Sequence, residues 1–319
     1  MTQPILVTGA ADGTQGSTGR HIAGLLIDRG FPVRAFVHKL DTRSDRLRDL
    51  GAEVFQGDLL NPASVRRAMK DIKLAYFTYP VADGLLEATT IFALAAREAG
   101  TELVVNLSQL QNTPDAPSFR NLQHRLADCL FDWAQVGAIH LHAPPFYENV
   151  RKFVAKSVAD QNAVFLPWGR GDAVIPLVGA EDIARVATAL LTGTAKGRQN
   201  AYDLIGETPS VNEIVNALGR VLQRPIRYVE ITDEQWAQAV AGRINSHALD
   251  HLSHLWRFFR TSGIRKGESG FRISDTIRTL TGKDPQTLEQ FFENNAEVFG
   301  GVREGVVGSI REGGSSGHS

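Results

Sequence analysis

The sequence of 319 residues is poor in cysteine, since Cys129 is the only one. An intramolecular disulfide is therefore excluded, and so is a metal centre built from several cysteines. No apolar run approaches the ~20 residues needed to span a bilayer, and the start lacks the order of basic, apolar and small residues of a secretory signal. We therefore expect a reduced, cytoplasmic protein with no metal site and no membrane segment.

An excess of charge of either sign is also missing. Lysine and arginine number 34 and aspartate and glutamate 35, so the formal net charge at pH 7 is −1. Proteins that bind nucleic acid mainly through its phosphates present a basic surface. The balanced charge argues against nucleic acid as the main partner. We expect a small-molecule substrate, and a chain that acts as a monomer or homodimer.

The first half of the sequence alternates short apolar runs with amphipathic stretches. The runs predict strands at residues 5–8, 33–38, 53–56, 74–79, 102–108 and 139–142. The stretches predict helices at 17–29, from 61 onward, at 84–100 and at 119–136, the last with an inward stripe of Phe119, Leu122, Leu126, Leu130 and Trp133. This alternation predicts an α/β fold, a Rossmann-type doubly wound parallel sheet over residues 1–150.

Beyond Pro145 the alternation loosens. Helices are predicted at 180–191 and 210–222, a strand at 226–229, and mostly helix from there to about residue 299. We expect a smaller, mostly helical C-terminal substrate part over 151–300, with a segment near 174–205 interleaved with the first domain. The cleft between the two parts is the expected ligand site. Residues 301–319, rich in glycine and serine, are predicted to form a flexible tail.

A glycine-rich turn joins the first strand to the first helix. A dinucleotide-binding turn needs glycine at the tight turn, at the approach of the pyrophosphate and where the helix packs on the strand. The spacing from Gly9 to Gly16 is longer than in the compact fingerprint. The residues assigned to the phosphates at the helix N-terminus are Gly9, Gly13, Gly16, Ser17, Thr18 and Gly19.

The end of the second strand favours NADP over NAD. NAD sites usually carry an acidic residue there, whereas NADP sites carry basic groups for the 2′-phosphate. Here His38, Lys39 and Arg43 follow the strand, and the acids Asp41 and Asp45 come in the predicted loop. The alternative is that the basic residues form only a solvated loop, with NAD as cofactor.

Several motifs resemble the NmrA-like group of atypical short-chain dehydrogenases/reductases. They lie at residues 7–10, 57–59, 142–149, 175–184, 202–214 and 280–289, so the resemblance covers roughly residues 3–300. It implies an NAD(P)-binding Rossmann fold. It leaves two activities open, which are NAD(P)H-dependent reduction of quinones, dyes and azo compounds, and cofactor sensing by a regulator without chemistry.

The resemblance also suggests where the cofactor lies. It implies Tyr79 and Pro80 along the cofactor and the run 144–146 beside the nicotinamide. Ligands of open α/β sheets bind at the carboxyl ends of the strands. The further cofactor candidates at these ends are Asp58, Leu59, Thr78, Tyr79, Pro80, Pro144, Pro145 and Phe146.

The usual proton donor of short-chain dehydrogenases is missing. Their Tyr-x-x-x-Lys pair passes a proton to a carbonyl oxygen, but here no tyrosine has a lysine four residues on, and the nearest match is Tyr147 with Arg151. The lysine implied by the NmrA-like resemblance falls on Leu126, beside Arg125. A sugar-nucleotide epimerase or dehydratase is therefore excluded.

Three strand-end residues are the remaining candidates for catalysis: His142, Tyr147 and Ser108. His142 has a reference pKa of ~6.5, which suits proton donation, although a hydrogen-bonded buried histidine is the alternative. Ser108 either contacts the ligand or bonds the backbone. The residues expected to shape the pocket are Phe77, Phe146, Tyr147, Trp168 and Trp256.

Three histidines at helical spacing, His247, His251 and His254, are interpreted as a solvated or cleft face rather than a metal site. The sequence thus favours an NADPH-dependent reductase of a flat conjugated acceptor such as a quinone, enone, imine or azo compound. A non-catalytic, NADP-sensing regulator is the alternative.

Overall fold

The computed structural model describes residues 3–11, 17–111, 113–195, 199–263 and 271–301. Its strands are Ile5–Thr8 (β1), Val33–Val37 (β2), Glu53–Gln56 (β3), Leu74–Phe77 (β4), Leu103–Gln109 (β5), Ile139–Ala143 (β6), Ala163–Leu166 (β7), Ala201–Asp203 (β8) and Arg227–Glu230 (β9). Of the tail predicted at residues 301–319, all but residue 301 lies outside the described residues.

The helices in the described part of the chain are Thr18–Ile27 (α1), Thr42–Asp49 (α2), Pro62–Ala68 (α3), Leu85–Ala99 (α4), Phe119–Ala134 (α5), Tyr147–Gln161 (α6), Ala180–Leu191 (α7), Val211–Val221 (α8), Asp233–Val240 (α9), Ser246–Thr261 (α10), Thr276–Thr281 (α11) and Leu288–Asn294 (α12). A short 3₁₀-helix covers Ala296–Phe299. None of these helices combines the length and the apolar character that crossing a membrane requires.

Seven strands form one parallel sheet in the order β3-β2-β1-β4-β5-β6-β8. The strand order reverses between β1 and β4, which is the switch point where ligands bind in doubly wound folds. The predicted Rossmann-type sheet is confirmed. Strand β8 and helix α7 come from the segment near 174–205, so this later part of the chain completes the first sheet.

Local signals in the sequence set several helix ends. Asn61 caps α3 by accepting a hydrogen bond from the Ser64 N–H at 3.1 Å, and Pro62 occupies the first turn. Ser210 and Glu213 form a reciprocal capping box at the start of α8. Gly100 ends α4 in the left-handed conformation.

The two faces of the sheet are covered by different helices. Val7, Val105 and Ile183 belong to a core between the sheet, α1 and α7, whereas Phe77, Phe92 and Phe131 fill the opposite core under α3, α4 and α5. Burying each such side chain contributes about 1.5–3 kcal/mol. A third core unites α6, α8, α10 and α12 with the two-stranded sheet β7-β9.

The predicted inward stripe of α5 is wrong. Phe119 is 61% exposed, Leu126 42% and Trp133 74%. The strands beneath this helix present Asn106 and His140, which need hydrogen-bond partners once buried. Helix α5 therefore turns a largely polar face to the sheet and leaves Phe119, Leu126 and Trp133 exposed, while Leu122 and Leu130 are half-buried.

A partly buried carboxylate lies where α6 meets α7. Glu148 accepts a hydrogen bond from the Ala180 N–H at 3.3 Å. Burial raises the pKa of Glu148 to about 7, against smaller opposing contributions from the backbone hydrogen bonds and Arg151, while Glu181 adds to the rise. The folded protein therefore binds a proton that the unfolded chain releases near pH 4.5.

Because this pKa is raised in the folded state, stability falls as the pH rises from about 4.5 to about 7. Glu148→Gln keeps an oxygen for the Ala180 N–H and removes the charge. We expect the variant to be more stable than the wild type by up to about 3 kcal/mol at pH 8, with little difference at pH 4. Urea unfolding at both pH values measures this. The exposed Glu293→Gln is the control, and an equal gain at both pH values would contradict the assignment.

Candidate cofactor and substrate cleft

A cleft of about 630 Å³ runs along the carboxyl ends of the central strands. Most residues predicted to bind cofactor or to act in catalysis line this one cavity. They are Gly9, Ser17, Thr18, His38, Lys39, Arg43, Asp58, Leu59, Thr78, Tyr79, Pro80, Ser108, Pro144, Pro145 and Phe146.

Two glycines allow close packing of the backbone around the described start of the turn after β1. Gly9 has φ +66°, and a Cβ there would lie 2.7 Å from the Thr78 Cγ2. A Cβ at Gly19 would lie 2.4 Å from the Thr8 carbonyl oxygen, so Gly19 lets α1 pack against β1 and does not itself line the cleft. Gly9 and Gly19 thus let β1, β4 and the N-terminus of α1 approach closely, and a helix N-terminus at such a turn is where a dinucleotide pyrophosphate binds. Gly13 and Gly16 lie outside the described residues.

The basic end of the cleft contains His38, Lys39 and Arg43. The Arg43 Nε donates to both oxygens of the Asp41 carboxylate at 3.2 and 3.0 Å. This side-chain hydrogen bond is the main reason why the pKa of Asp41 is lowered to about 2. Asp41 also caps α2 through the Arg43 N–H. The acid thus offsets part of the positive charge at this end.

A buried arginine that sequence reasoning missed holds the loop after β4. Arg120 is 1% exposed and donates to the backbone carbonyls of Pro80 at 2.7 Å and Ala82 at 3.0 Å. Burial lowers the pKa of Arg120 to about 10, so the guanidinium stays charged at neutral pH. An arginine in the first turn of an amphipathic helix normally lies at the surface, so the sequence pattern did not indicate that Arg120 is buried.

The opposite end of the cleft, which we call the α10 end, is lined by the polar residues Gln109, Asn121, His124 and His251. Apolar side chains complete it: Leu110, Phe146, Phe153, Ile244, Leu252 and Leu255. The His251 Nδ1 lies 2.8 Å from the Ser118 Oγ, and its Nε2 lies 3.3 Å from the Gln109 Nε2. Of this set, the sequence indicates Phe146 and Gln109, which follows Ser108 at the end of the fifth predicted strand, as cleft candidates and His251 as a residue of a possible cleft face; the others were not predicted.

The two histidines of the α10 end are neutral. Burial, followed by the nearby charge of Arg120, lowers the pKa of His124 well below its usual value and that of His251 to about 3. Among the described residues, the His124 Nδ1 and Gln109 Oε1 have no hydrogen-bond partner. Buried polar atoms of this kind are normally satisfied, and both residues line the cleft.

The structure separates the three predicted catalytic residues. Ser108 lines the cleft, whereas His142 lies behind it, with its ring nitrogens 3.1 Å from Asp128 and from Asp203. The buried Tyr147 is not brought to the cleft, because its ring packs against Phe291 in the C-terminal part. Its hydroxyl donates to the Gln286 carbonyl at 3.1 Å, and burial raises its pKa.

The prediction for the aromatic residues needs a similar correction. Only Phe146 of the five lines the cleft. Phe77 lies in the core of the sheet, and Trp168 packs edge-on against Trp256 with 5.3 Å between ring centroids. Large apolar side chains fill cores more often than clefts, and their sequence spacing does not distinguish the two.

The helical histidines do not form one cluster. His251 faces the cleft, while the His247 Nδ1 lies 3.1 Å from the Asp83 Oδ1 and His254 lies beside Asp250. In the described part of the chain, no group of three or more histidine, cysteine, aspartate or glutamate residues has an arrangement able to hold a metal ion.

Fold and cleft together define a doubly wound α/β protein with a ligand site at its switch point. The model of the NmrA-like family matches residues 1–125, which confirms the resemblance inferred from the motifs. The NAD(P)H azoreductase of Xenophilus azovorans is 26% identical, with 93% of this chain and 99% of the relative covered. The (4-alkanoyl-5-oxo-2,5-dihydrofuran-3-yl)methyl phosphate reductase of Streptomyces griseus is 29% identical, with coverage of 92% and 99%.

Solved structures share the fold at lower identity. The NADPH-dependent quinone oxidoreductase QOR2 of Escherichia coli, complexed with NADPH, has a TM-score of 0.76 at 17% identity, covering 92% of this chain and 99% of that one. NmrA, a negative transcriptional regulator in complex with NADP, has a TM-score of 0.72 at 17% identity, covering 91% and 94%. One fold is thus shared with an oxidoreductase and with a regulator.

The basic end generates a prediction about cofactor choice. Lys39→Ala should weaken NADPH binding roughly tenfold or more and leave NADH binding nearly unchanged, since a hydrogen bond to a charged group contributes about 1.5–3 kcal/mol. Asp41→Asn keeps the cap of α2 and should strengthen NADPH binding, because it releases Arg43. Calorimetric titration with both cofactors measures this, and the exposed Arg46→Ala is the control. An unchanged ratio of the two affinities in both variants would reject the assignment.

Proposed function

We propose that this protein is an NAD(P)H-dependent reductase, with NADPH preferred, that acts on a small conjugated or aromatic acceptor of the quinone, enone, imine or azo type. The observation that carries the proposal is the single cleft that joins the glycine turn to the α10 end. One end has the form of a dinucleotide site, and the other combines apolar walls with buried polar atoms that have no hydrogen-bond partner among the described residues. The two reductases that align over nearly the whole chain support it.

The residues at the glycine turn fit the cofactor. The N–H groups at the start of α1, beside Ser17 and Thr18, would hold the pyrophosphate. Lys39, with His38 and Arg43, would bind a 2′-phosphate. The runs 78–80 and 144–146 would enclose the nicotinamide, which supplies a hydride when the cofactor is bound.

The α10 end suits a flat, apolar acceptor with a polar atom. Phe146, Phe153 and Leu252 would contact its faces, while the neutral ring of His124 would donate a hydrogen bond to its oxygen or nitrogen. Hydride addition to a conjugated system moves negative charge onto that atom. The buried guanidinium of Arg120 stabilises such charge electrostatically, and positioning of the acceptor supplies much of the remaining rate.

A second candidate, an NADP-sensing regulator, is favoured by one observation. The chain lacks the Tyr-x-x-x-Lys pair, and a regulator needs no proton donor. The two functions share the cofactor end and differ in what the α10 end binds.

Oxidation of NADPH in the presence of a panel of quinones, enones, imines and azo dyes separates the two functions. We expect turnover with at least one acceptor. His124→Leu should lower kcat/KM for that acceptor roughly tenfold, because it removes a hydrogen bond worth about 0.5–1.5 kcal/mol and the nearby polar contacts, and the affinity for NADPH should be unchanged. Tight NADP binding without turnover of any acceptor would reject the reductase and favour the regulator.

A further inference from the structure

A row of polar side chains connects the cleft with solvent on the α5 face of the sheet. Ser108, His142 and Asp203 occupy the same register position on the neighbouring strands β5, β6 and β8. Side chains at one register position of a parallel sheet point to the same face. Helix α5 covers this face and contributes Asp128, which hydrogen-bonds both Ser108 and His142.

The contacts along this row are unbroken. The Ser108 hydroxyl donates to the Asp128 Oδ2 at 3.1 Å, and the same oxygen lies 3.1 Å from the His142 Nε2. The His142 Nδ1 lies 3.1 Å from the Asp203 Oδ1. Ser108 is buried and lines the cleft, while the side chain of Asp203, on the edge strand β8, is 59% exposed.

We infer that Ser108, Asp128, His142 and Asp203 form a proton relay that carries a proton from solvent to the reduced acceptor in the cleft. This inference rests on the proposed reductase function and supplies the proton that the missing Tyr-x-x-x-Lys pair would have donated. Ser108 is the catalytic residue, because it lines the cleft. Asp128, His142 and Asp203 act through it.

The reaction balances with one hydride and one proton. The hydride forms a bond to a carbon of a quinone, enone or imine, or to one nitrogen of an azo group, and the displaced π electrons move to the oxygen or to the other nitrogen. The Ser108 hydroxyl turns from Asp128 towards the acceptor, and its proton forms the new O–H or N–H bond. Asp128 passes the proton of His142 to Ser108, and water reprotonates His142 through Asp203.

The charges around His142 keep a proton available. Burial disfavours the imidazolium, but the hydrogen bonds with Asp128 and Asp203 outweigh burial and raise the pKa of His142 to about 9. The other ionisable groups on this face are His140, which lies near Asp128 and Asp132, and His124, which burial keeps neutral. At neutral pH His142 therefore holds the proton that the reaction consumes.

Two kinds of acceptor test the relay. A quinone needs a hydride and a proton, whereas a triarylmethyl cation becomes a neutral product on gaining a hydride alone. Ser108→Ala and His142→Gln should therefore slow quinone reduction roughly a hundredfold, the lower end of what general acid catalysis contributes. Both variants should leave reduction of the cation within about twofold of wild type. His140→Gln, in the same network but outside the row, is the control and should not change the ratio of the two rates.

Titration of ¹⁵N-histidine-labelled protein by NMR gives a readout that is independent of turnover. We expect His142 to titrate near pH 9 in the wild type and at a lower pH in Asp203→Asn. Asp203 is exposed, so this variant keeps the fold. Equal slowing of both acceptors in the Ser108 and His142 variants, or a His142 titration that Asp203→Asn does not move, would overturn the relay. A wild-type protein that binds NADP but reduces no acceptor of the full panel would instead reject the proposed function.

Discussion

The burial of the Asp128 carboxylate between α5 and the sheet is the constraint on which the α10 end of the cleft depends. Asp128 accepts hydrogen bonds from Asn106 and Ser108 and contacts His142. A buried carboxylate is stable only when its oxygens are satisfied in this way. This requirement fixes the rotation of α5 about its axis. The free energy of satisfying these buried groups outweighs the free-energy cost of leaving Phe119, Leu126 and Trp133 exposed to solvent.

That rotation also places the residues that face the cleft. Arg120 and His124 precede Asp128 at intervals of four residues, so all three lie on one face of the helix. Arg120 therefore reaches the loop after β4, and His124 lines the α10 end. One face of α5 thus contacts the loop after β4, the α10 end of the cleft and the row of polar side chains on the sheet.

The cofactor end depends on different physics and was largely predictable from sequence. Buried strands and turn glycines have strong local signals, and the predicted ends of the first six strands lie within two residues of those observed. The need for glycine at position 19, where a Cβ would meet the backbone of β1, also follows from the turn pattern. The pairing of Asp41 with Arg43 was not predicted, because their separation of two residues does not show which way the side chains turn.

The α10 end was not predictable in the same way. The helical period of Phe119, Leu126 and Trp133 is as regular as that of an inward stripe, and only the polar residues of β5 and β6 show that the sheet needs a polar helix face. His251 reaches the cleft from α10, more than a hundred residues away from Gln109. Contacts of this kind are set by tertiary packing, which local pattern does not encode.

The central claim is that hydride passes from a cofactor in this cleft to an acceptor at its α10 end. A single turnover with NADPH deuterated at one C4 position and with an enone or imine acceptor, whose new C–D bond does not exchange with water, followed by mass spectrometry of the product, tests it most directly. The account predicts one deuterium in the product from one of the two C4-labelled cofactors and none from the other. Bound cofactor that transfers no deuterium from either position would contradict it.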